Sequence, residues 1–167
     1  MKLKNSGERP PIRRTARVLV IDESDRVLLL RTQLPHRKEL SVWLTPGGGL
    51  KPGEIYEEAA IRELWEETGL TGVDLGPWVW RRQVVWRWGD RTYDAHERFF
   101  LLRVPRFVIS PAVAVDLETE TVLEYRWWSV PELQAALGES FAPSRIAEQL
   151  AAILEGCLPD TPIDVGR

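Results

Sequence analysis

The sequence is poor in the residues on which several common protein classes depend, since its 167 residues include one cysteine, two histidines and one methionine. The single cysteine, Cys157, excludes an internal disulfide framework and any zinc site built from several cysteines. Two histidines, His36 and His96, do not support a histidine-based metal site or a catalytic triad. Uninterrupted apolar runs are only a few residues long, whereas a membrane-spanning helix needs about 20. We therefore expect one globular domain with no membrane partner.

The balance of charge excludes a further class of protein. The chain has 22 basic residues and 25 acidic ones, for a net charge of −3. This balance argues against a polycationic nucleic-acid binder. Residues 81–106 nevertheless hold seven arginines against three acids. A basic segment of this kind attracts small anions, and the solvation of strand edges is the alternative role for its arginines. No apolar stretch follows the basic residues of positions 1–17, so we expect no secretory signal. We expect a cytoplasmic protein that is monomeric or homodimeric.

The pattern along the chain predicts one domain at residues 15–156, between a flexible N-terminal tail at 1–14 and a C-terminal tail at 157–167. Residues 45–53 are too rich in Gly and Pro for a regular helix or strand. Helices are indicated by acidic residues in a first turn, by a glycine that ends a helix and by a capping box at Ser129. The predicted strands are 16–21 and 27–31, joined as a hairpin, then 78–88, 92–104 and 124–129, and the predicted helices are 55–68, a short one from Ser129, and 144–155.

Three glutamates crowd the end of the helix predicted at 55–68. At 100° per residue, Glu63, Glu66 and Glu67 share an arc of about 100°. Like charges at these spacings repel, and the C-terminal helix dipole disfavours them further, so the arrangement favours a bound cation. A solvated acidic face, in which Arg62 pairs with neighbouring acids, is the alternative.

The spacing around these glutamates matches a known motif. Gly48 is followed after five residues by Glu54 and after seven more by Arg62-Glu63-Leu64-Trp65-Glu66-Glu67-Thr68-Gly69-Leu70. Every fixed position of the Nudix box is present, and a chance match in a chain of this length is about one in ten million. The sequence thus resembles a Nudix hydrolase over about residues 15–155.

The resemblance implies an α/β (α+β) protein with the Nudix fold, a mixed β-sheet sandwiched between helices. It also implies Mg²⁺-dependent hydrolysis, with Mn²⁺ as a possible substitute, of a nucleoside diphosphate linked to another group. Glu63, Glu66, Glu67 and the carbonyl of Gly47 correspond to the metal ligands, and Glu63 is the residue expected to orient or deprotonate the attacking water. Glu54 and Arg62 correspond to a pair that braces the loop against the helix.

Residues outside the box are expected to complete the site. The family often takes a further carboxylate from outside the box, and the candidates are Glu97, Glu118 and Glu120. Markers of hydrolases that act on ADP-ribose, dinucleoside polyphosphates or coenzyme A are not matched, so the small nucleotide-type substrate stays open. The candidate substrate-binding residues are Arg31, Arg81, Arg82, Trp86, Arg87 and Trp88, the two tryptophans being candidates for stacking on a nucleobase.

Two alternatives to a hydrolase follow from the same resemblance. One is a catalytically idle Nudix domain that senses a nucleotide, against which the three intact carboxylates argue. The other is isopentenyl diphosphate isomerase, which shares the fold but normally has a catalytic cysteine. Cys157 lies far from the box in the predicted C-terminal tail, which argues against the isomerase.

Overall fold

Strands dominate the computed structural model, which describes residues 9–35, 37–88, 90–112 and 121–166. Within that part of the chain, nine strands form one mixed sheet in the order β8-β3-β2-β1-β6-β5-β9, with β4 paired to β1 and β7 to β2. The strands are β1 Ile12–Ile21, β2 Val27–Leu34, β3 Arg37–Leu44, β4 Gly47–Gly49, β5 Trp78–Trp88, β6 Arg91–Arg103, β7 Thr121–Trp128, β8 Phe141–Ala142 and β9 Ile163–Asp164. The helices are α1 Tyr56–Thr68, α2 Val130–Ala135 and α3 Ile146–Leu154.

The first two strands meet only at their tip, where Ile21 pairs with Val27. The Asp22 side chain closes this tip by accepting hydrogen bonds from the backbone N–H groups of Ser24 and Arg26, each at 2.9 Å. Beyond the tip β1 pairs in parallel with β6 and antiparallel with β4, whereas β2 pairs with β3 and β7. The predicted hairpin is therefore a tip from which the two strands separate to take other partners.

Each face of the sheet is covered by helices, as predicted for an α/β (α+β) protein with a mixed sheet between helices. Ala59, Ala60 and Leu64 of α1 pack on one face against a cluster that includes Val18 and Phe100. The opposite face packs against α2 and α3, with Leu133, Ile146, Leu150 and Ile153 buried there. Hydrophobic residues alternate between the two faces along the central strands, so each strand contributes to both layers.

Helix α1 begins one residue later than predicted from its sequence and ends at the predicted residue. Ile55 precedes it, and the carboxylate of Glu58 accepts the Ile55 backbone N–H at 3.1 Å. Gly69 ends it in the left-handed conformation at φ 77°. A Cβ on Gly69 would lie 2.1 Å from the carbonyl oxygen of Ser110, so glycine is required here on steric grounds as well.

The sheet is larger than predicted at both ends of the chain. Residues 12–14, expected in a tail, belong to β1, and β9 from the expected C-terminal tail pairs with β5. Val165, next to β9, is buried. The sequence patterns also do not predict β3, which precedes the Gly- and Pro-rich stretch at 45–53, or β4, which lies within it. None of the helices in the described ranges is long and apolar enough to cross a membrane.

Candidate active site

Arg62 connects the loop after β4 to the glutamates of α1. Its guanidinium makes two hydrogen bonds to the carboxylate of Glu54, at 2.6 and 2.9 Å, and donates to the carbonyl oxygen of Gly49 at 3.0 Å. The Arg62 guanidinium lowers the pKa of Glu54 to about 2, and the pairing raises the pKa of Arg62. This bidentate pair joins the loop after β4 to the helix.

The same guanidinium also holds two of the three predicted metal ligands. Nη1 of Arg62 lies 2.7 Å from Oε1 of Glu63 and 3.3 Å from Oε2 of Glu66. Nζ of Lys51 lies 3.4 Å from the other oxygen of Glu66. One cationic nitrogen between two carboxylates offsets the repulsion expected from their spacing on the helix.

Two glycines of β4 allow the loop to reach these carboxylates. A Cβ on Gly48 would lie 2.5 Å from Oε1 of Glu63, so the absence of a side chain lets the carboxylate rest on the backbone. Gly47 has φ 141°, and a Cβ there would lie 2.1 Å from the carbonyl oxygen of Ala16. The backbone N–H of Gly47 donates to Oε2 of Glu67 at 2.8 Å, which brings the third predicted ligand to the same loop.

The donor set suits a hard divalent cation such as Mg²⁺, because carboxylate and carbonyl oxygens are the ligands that it prefers. Glu63, Glu66 and Glu67 extend from adjacent turns of α1 toward Arg62 or the loop, and Gly47 adds a carbonyl. In the described ranges, no three acidic, histidine or cysteine side chains are already arranged to hold a metal ion. The glutamates are instead compensated by Arg62, Lys51 and a backbone N–H.

A second arginine approaches the loop from the opposite direction. Arg17 of β1 is buried, and its Nη1 donates to the carbonyl oxygens of Thr45 and Gly47 at 3.2 and 3.0 Å. Its Nε lies 3.4 Å from Oε1 of Glu97, whose Oε2 accepts a 2.5 Å hydrogen bond from Arg82. Burial raises the pKa of Glu97, but the charges of Arg17 and Arg82 outweigh it and hold that pKa below its usual value.

Arg17, Arg82 and Glu97 line a cavity of about 320 Å³, here called the apolar cavity. Its walls are mostly hydrophobic and come from β2, β3, β5 and β8. Arg82 and Trp86, two of the predicted substrate-binding residues, lie on the same face of β5 and reach this cavity together. The apolar lining residues are Leu34, Leu40, Val42, Leu44, Val84, Trp86 and Ala142.

A larger and more open depression of about 800 Å³, here called the charged groove, contains Glu63. The start of β1 and the loop after β4 form its sides. The sequence analysis missed its basic residues because it assigned residues 1–14 to a tail, although the pair Arg13-Arg14 immediately before an apolar strand was an available signal. The charged residues of the groove are Arg13, Arg14, Lys51, Glu54 and Glu63.

A model of the NUDIX domain matches residues 11–149 of the chain. The chain belongs to the Nudix family. The match begins at the start of β1 and ends within α3, so it covers the whole arrangement described above, including both cavities.

Individual Nudix relatives agree with this assignment. Over 136 residues, 81% of the chain, the sequence is 32% identical to Nudix hydrolase 19, chloroplastic, of Arabidopsis thaliana, and the match covers 28% of that protein. A putative 8-oxo-dGTP diphosphatase of Bacillus subtilis is 48% identical over 52 residues, 31% of the chain and 32% of its own length. The chain therefore spans about a third or less of these two curated relatives.

The fold is also that of solved structures. The MutT protein from Methanosarcina mazei Go1 superposes with a TM-score of 0.63 at 24% identity, covering 89% of this chain and 99% of that one. A Caenorhabditis elegans Ap4A hydrolase gives a TM-score of 0.59 at 17% identity, covering 86% and 98% of the two chains. At these identities the similarity is one of fold.

The other predicted substrate-binding arginines of this Nudix domain, Arg31, Arg81 and Arg87, do not line the apolar cavity. Arg31 donates to Oγ of Ser41 at 2.9 Å, and Arg81 lies 4.0 Å from Asp164 of β9. Arg87 pairs with Asp90 at 3.7 Å near the turn, and Trp88 ends β5. Arg81 and Arg82 diverge because successive residues of a strand point to opposite faces. Glu118 and Glu120 lie outside the described residues.

Tyr125 of β7 is a neighbour of the Nudix site that the sequence analysis did not select. Burial raises the pKa of its hydroxyl, and the negative charge of Glu67 raises it further. The tyrosine thus lies close enough to Glu67 for their charges to interact. The pairing of β7 with β2, which no local sequence pattern predicts, brings Tyr125 to this position.

Proposed function

We propose that this Nudix domain is a Mg²⁺-dependent hydrolase that cleaves the pyrophosphate bond of a nucleoside diphosphate linked to another group. The observation that carries the proposal is the contact of the Gly47–Gly49 strand with the glutamates of α1, maintained by Arg62. A domain that only bound a nucleotide would gain nothing from keeping three repelling carboxylates at this contact.

Names of relatives support the reaction class and differ in substrate. An Escherichia coli protein named RNA pyrophosphohydrolase is 27% identical over 135 residues, covering 72% of this chain and 74% of its own. A structural neighbour from Streptococcus suis is titled an ADP-ribose pyrophosphatase. Both names denote hydrolysis of a phosphate anhydride, and that shared chemistry is the part we propose for this chain.

In the proposed mechanism, Glu63, Glu66, Glu67 and the carbonyl of Gly47 hold the cation. Bound Mg²⁺ would neutralise charge on the phosphates and acidify water. Glu63 accepts the proton of the attacking water, since its carboxylate lies against Gly48 at the border of the charged groove. Arg62 keeps its hold on Glu54 and Gly49, so the loop stays fixed while the substrate reacts.

We further propose that the two cavities receive different parts of the substrate. The apolar cavity has the size and lining that suit a planar nucleobase beside Trp86. Arg13, Arg14 and Lys51 give the charged groove the donors that phosphate groups need. The anhydride bond would then lie between them, next to Glu63.

The test is product release from a panel of nucleoside triphosphates, nucleotide sugars, ADP-ribose and dinucleoside polyphosphates, with Mg²⁺, Mn²⁺ or EDTA. We expect hydrolysis with either cation and none with EDTA. Glu63→Gln should lower kcat at least a hundredfold, because the amide keeps the size of the side chain but loses its charge. Glu57→Gln, an exposed change in the first turn of the same helix, is the matched control and should leave kcat unchanged.

The panel also separates the alternatives. Nucleotide binding without product release, with Mg²⁺ present, would favour a sensing domain over a hydrolase. Isomerisation of isopentenyl diphosphate would favour the isomerase, although Cys157 is exposed and lies after α3, away from the glutamates.

A further inference from the structure

The strongest unexplained feature is the buried ion triad formed by Arg17, Glu97 and Arg82. The side chains of Arg17 and Glu97 are 9% and 2% exposed, and that of Arg82 is 14% exposed. Two guanidinium groups share one carboxylate in this triad. Burial of charge is unfavourable unless hydrogen bonds compensate it, and it is weak support for stability alone.

The triad connects the apolar cavity to the loop of the active site. All three residues line the cavity. Glu97 lies opposite Arg82 in the β5–β6 ladder, and Arg17 lies opposite Gly47 in the β1–β4 ladder. Hydrogen bonds therefore run from Arg82 through Glu97 to Arg17, and from Arg17 to the carbonyl oxygens of Thr45 and Gly47.

The Gly47 carbonyl is a group that needs such a contact. Gly47 and its successors Gly48 and Gly49 have no side chains to restrict rotation of their peptide planes. A charge-assisted hydrogen bond from a buried guanidinium is directional and stronger than a neutral one. Arg17 thereby fixes the orientation of this carbonyl from the sheet side, while Glu67 accepts the N–H of the same residue from the helix side.

We propose that Arg17 is a positioning residue that couples the apolar cavity to the Gly47 carbonyl, and that Glu97 acts through Arg17. This inference rests on the proposed function for its catalytic consequence, but not for its structural one. Both oxygens of Glu97 are engaged by guanidinium groups, so Glu97 orients Arg17 and is not the additional catalytic carboxylate considered from the sequence. A ligand in the apolar cavity that contacts Arg82 or Arg17 alters the hydrogen bond to Gly47.

A structural test uses the metal-free protein. The amide ¹⁵N resonance of Gly48 reports on hydrogen bonding at the Gly47 carbonyl that precedes it. Arg17→Lys keeps the charge but replaces the planar fork by a single ammonium group, and should shift this resonance. Glu97→Gln should shift it in the same direction. Arg145→Gln, which removes an exposed ion pair with Glu148 at the start of α3, is the control and should leave it unchanged.

A ligand arm tests the coupling in the same spectra. Titration of the metal-free wild type with AMP or GMP should move the Gly48 resonance, and the movement should be lost in Arg17→Lys. If neither the substitutions nor the nucleotides move the resonance, the proposal is overturned. If the resonance responds but no member of the substrate panel is hydrolysed, the coupling stands and the proposed function fails, so the two failures are distinguishable.

A kinetic arm separates positioning from direct catalysis by Glu97. Substitutions behind a metal site typically lower activity about 10- to 100-fold, and we expect Glu97→Gln and Arg17→Lys each to lower kcat in this range with little change in KM. The double variant should lose no more than the worse single variant, because both changes break one chain of contacts. Multiplicative losses, or a limb of the pH–rate profile that vanishes only in Glu97→Gln, would identify Glu97 as a catalytic residue in its own right. Circular dichroism and melting temperature check that each variant is folded.

Discussion

The apolar cavity and the charged groove meet the same short strand, β4, but differ in almost every physical property. The cavity reaches Gly47 through buried Arg17 and is walled by hydrophobic side chains. The groove runs beside Gly49, is more than twice as large and is bordered by arginine and lysine. In the function that we propose, one region would recognise a ligand by shape and the removal of apolar surface from water, and the other by charge. The Gly-rich strand between them is where a substrate that spans both would react.

The largest effect is expected where the two regions meet. Gly48→Ala places a methyl group 2.5 Å from the present position of the Glu63 carboxylate, which has to move. Because that carboxylate is the end of a flexible side chain, the fold should survive, whereas kcat should fall about a hundredfold or more. Gly49→Ala is the control, since its methyl group would be 3.4 Å from Arg13, and steady-state kinetics with melting curves measures both. Equal losses in the two variants would remove the special position assigned to Gly48.

A tenfold effect is expected in the apolar cavity. Trp86→Ala removes an aromatic wall, so KM for a nucleotide substrate should rise about tenfold, and the rise should be the same in low and high salt. Val85→Ala, on the same strand but exposed on the opposite face, is the matched control. A KM that rises only at low salt would place the base outside this cavity.

A smaller, salt-dependent effect is expected in the charged groove. Arg13→Gln should raise KM about threefold to fivefold at low ionic strength, and the difference should fade as salt shortens the Debye length from about 10 Å at 0.1 M to 3 Å at 1 M. Arg103→Gln, which removes an exposed arginine at the far end of β6, controls for total charge. Should KM for both variants respond equally, long-range attraction rather than the groove would be the cause.

The smallest effect concerns the pair that braces the loop. The pKa of Glu54 is lowered to about 2, so its ionised form contributes stability above the ordinary carboxyl pKa of 4.5, and this contribution is lost as the pH falls toward 2. The melting temperature of Glu54→Gln should therefore lie below that of the wild type by a constant amount from pH 7 to about 5, and the difference should disappear between pH 4.5 and 2. A difference that persists unchanged at pH 2 would show that charge is not its source.

The residues that could be predicted are those whose neighbours are close in sequence. The limits of α1, its Gly69 stop and the span of β5 follow from local patterns, and the contacts of Glu54 and Arg62 join residues two turns apart. The match to the Nudix box predicted functional roles for individual residues, which the periodicity of the sequence alone does not.

The remainder depends on pairings between distant segments. Arg17 and Glu97 are 80 residues apart, and the sequence around each of them does not predict their contact. The register shift between Trp78 and Trp80 sends Trp78 to the α1 face and Trp80 to the other, which alternation along the strand does not anticipate. The short strands β4 and β9 pair with β1 and β5, which are distant in the sequence, so no local pattern predicts these pairings.

The pairing of β1 with β6 can form only late in the synthesis of the chain. Ile12 to Ile21 pair in parallel with Asp94 to Arg103, so the earliest central strand acquires that neighbour only after most of the domain has been made. Parallel pairing over such a separation is slow, and until it occurs an apolar strand edge stays open to other chains. A nascent or truncated chain that ends before β6 would therefore be prone to aggregate, whatever the integrity of its Nudix box.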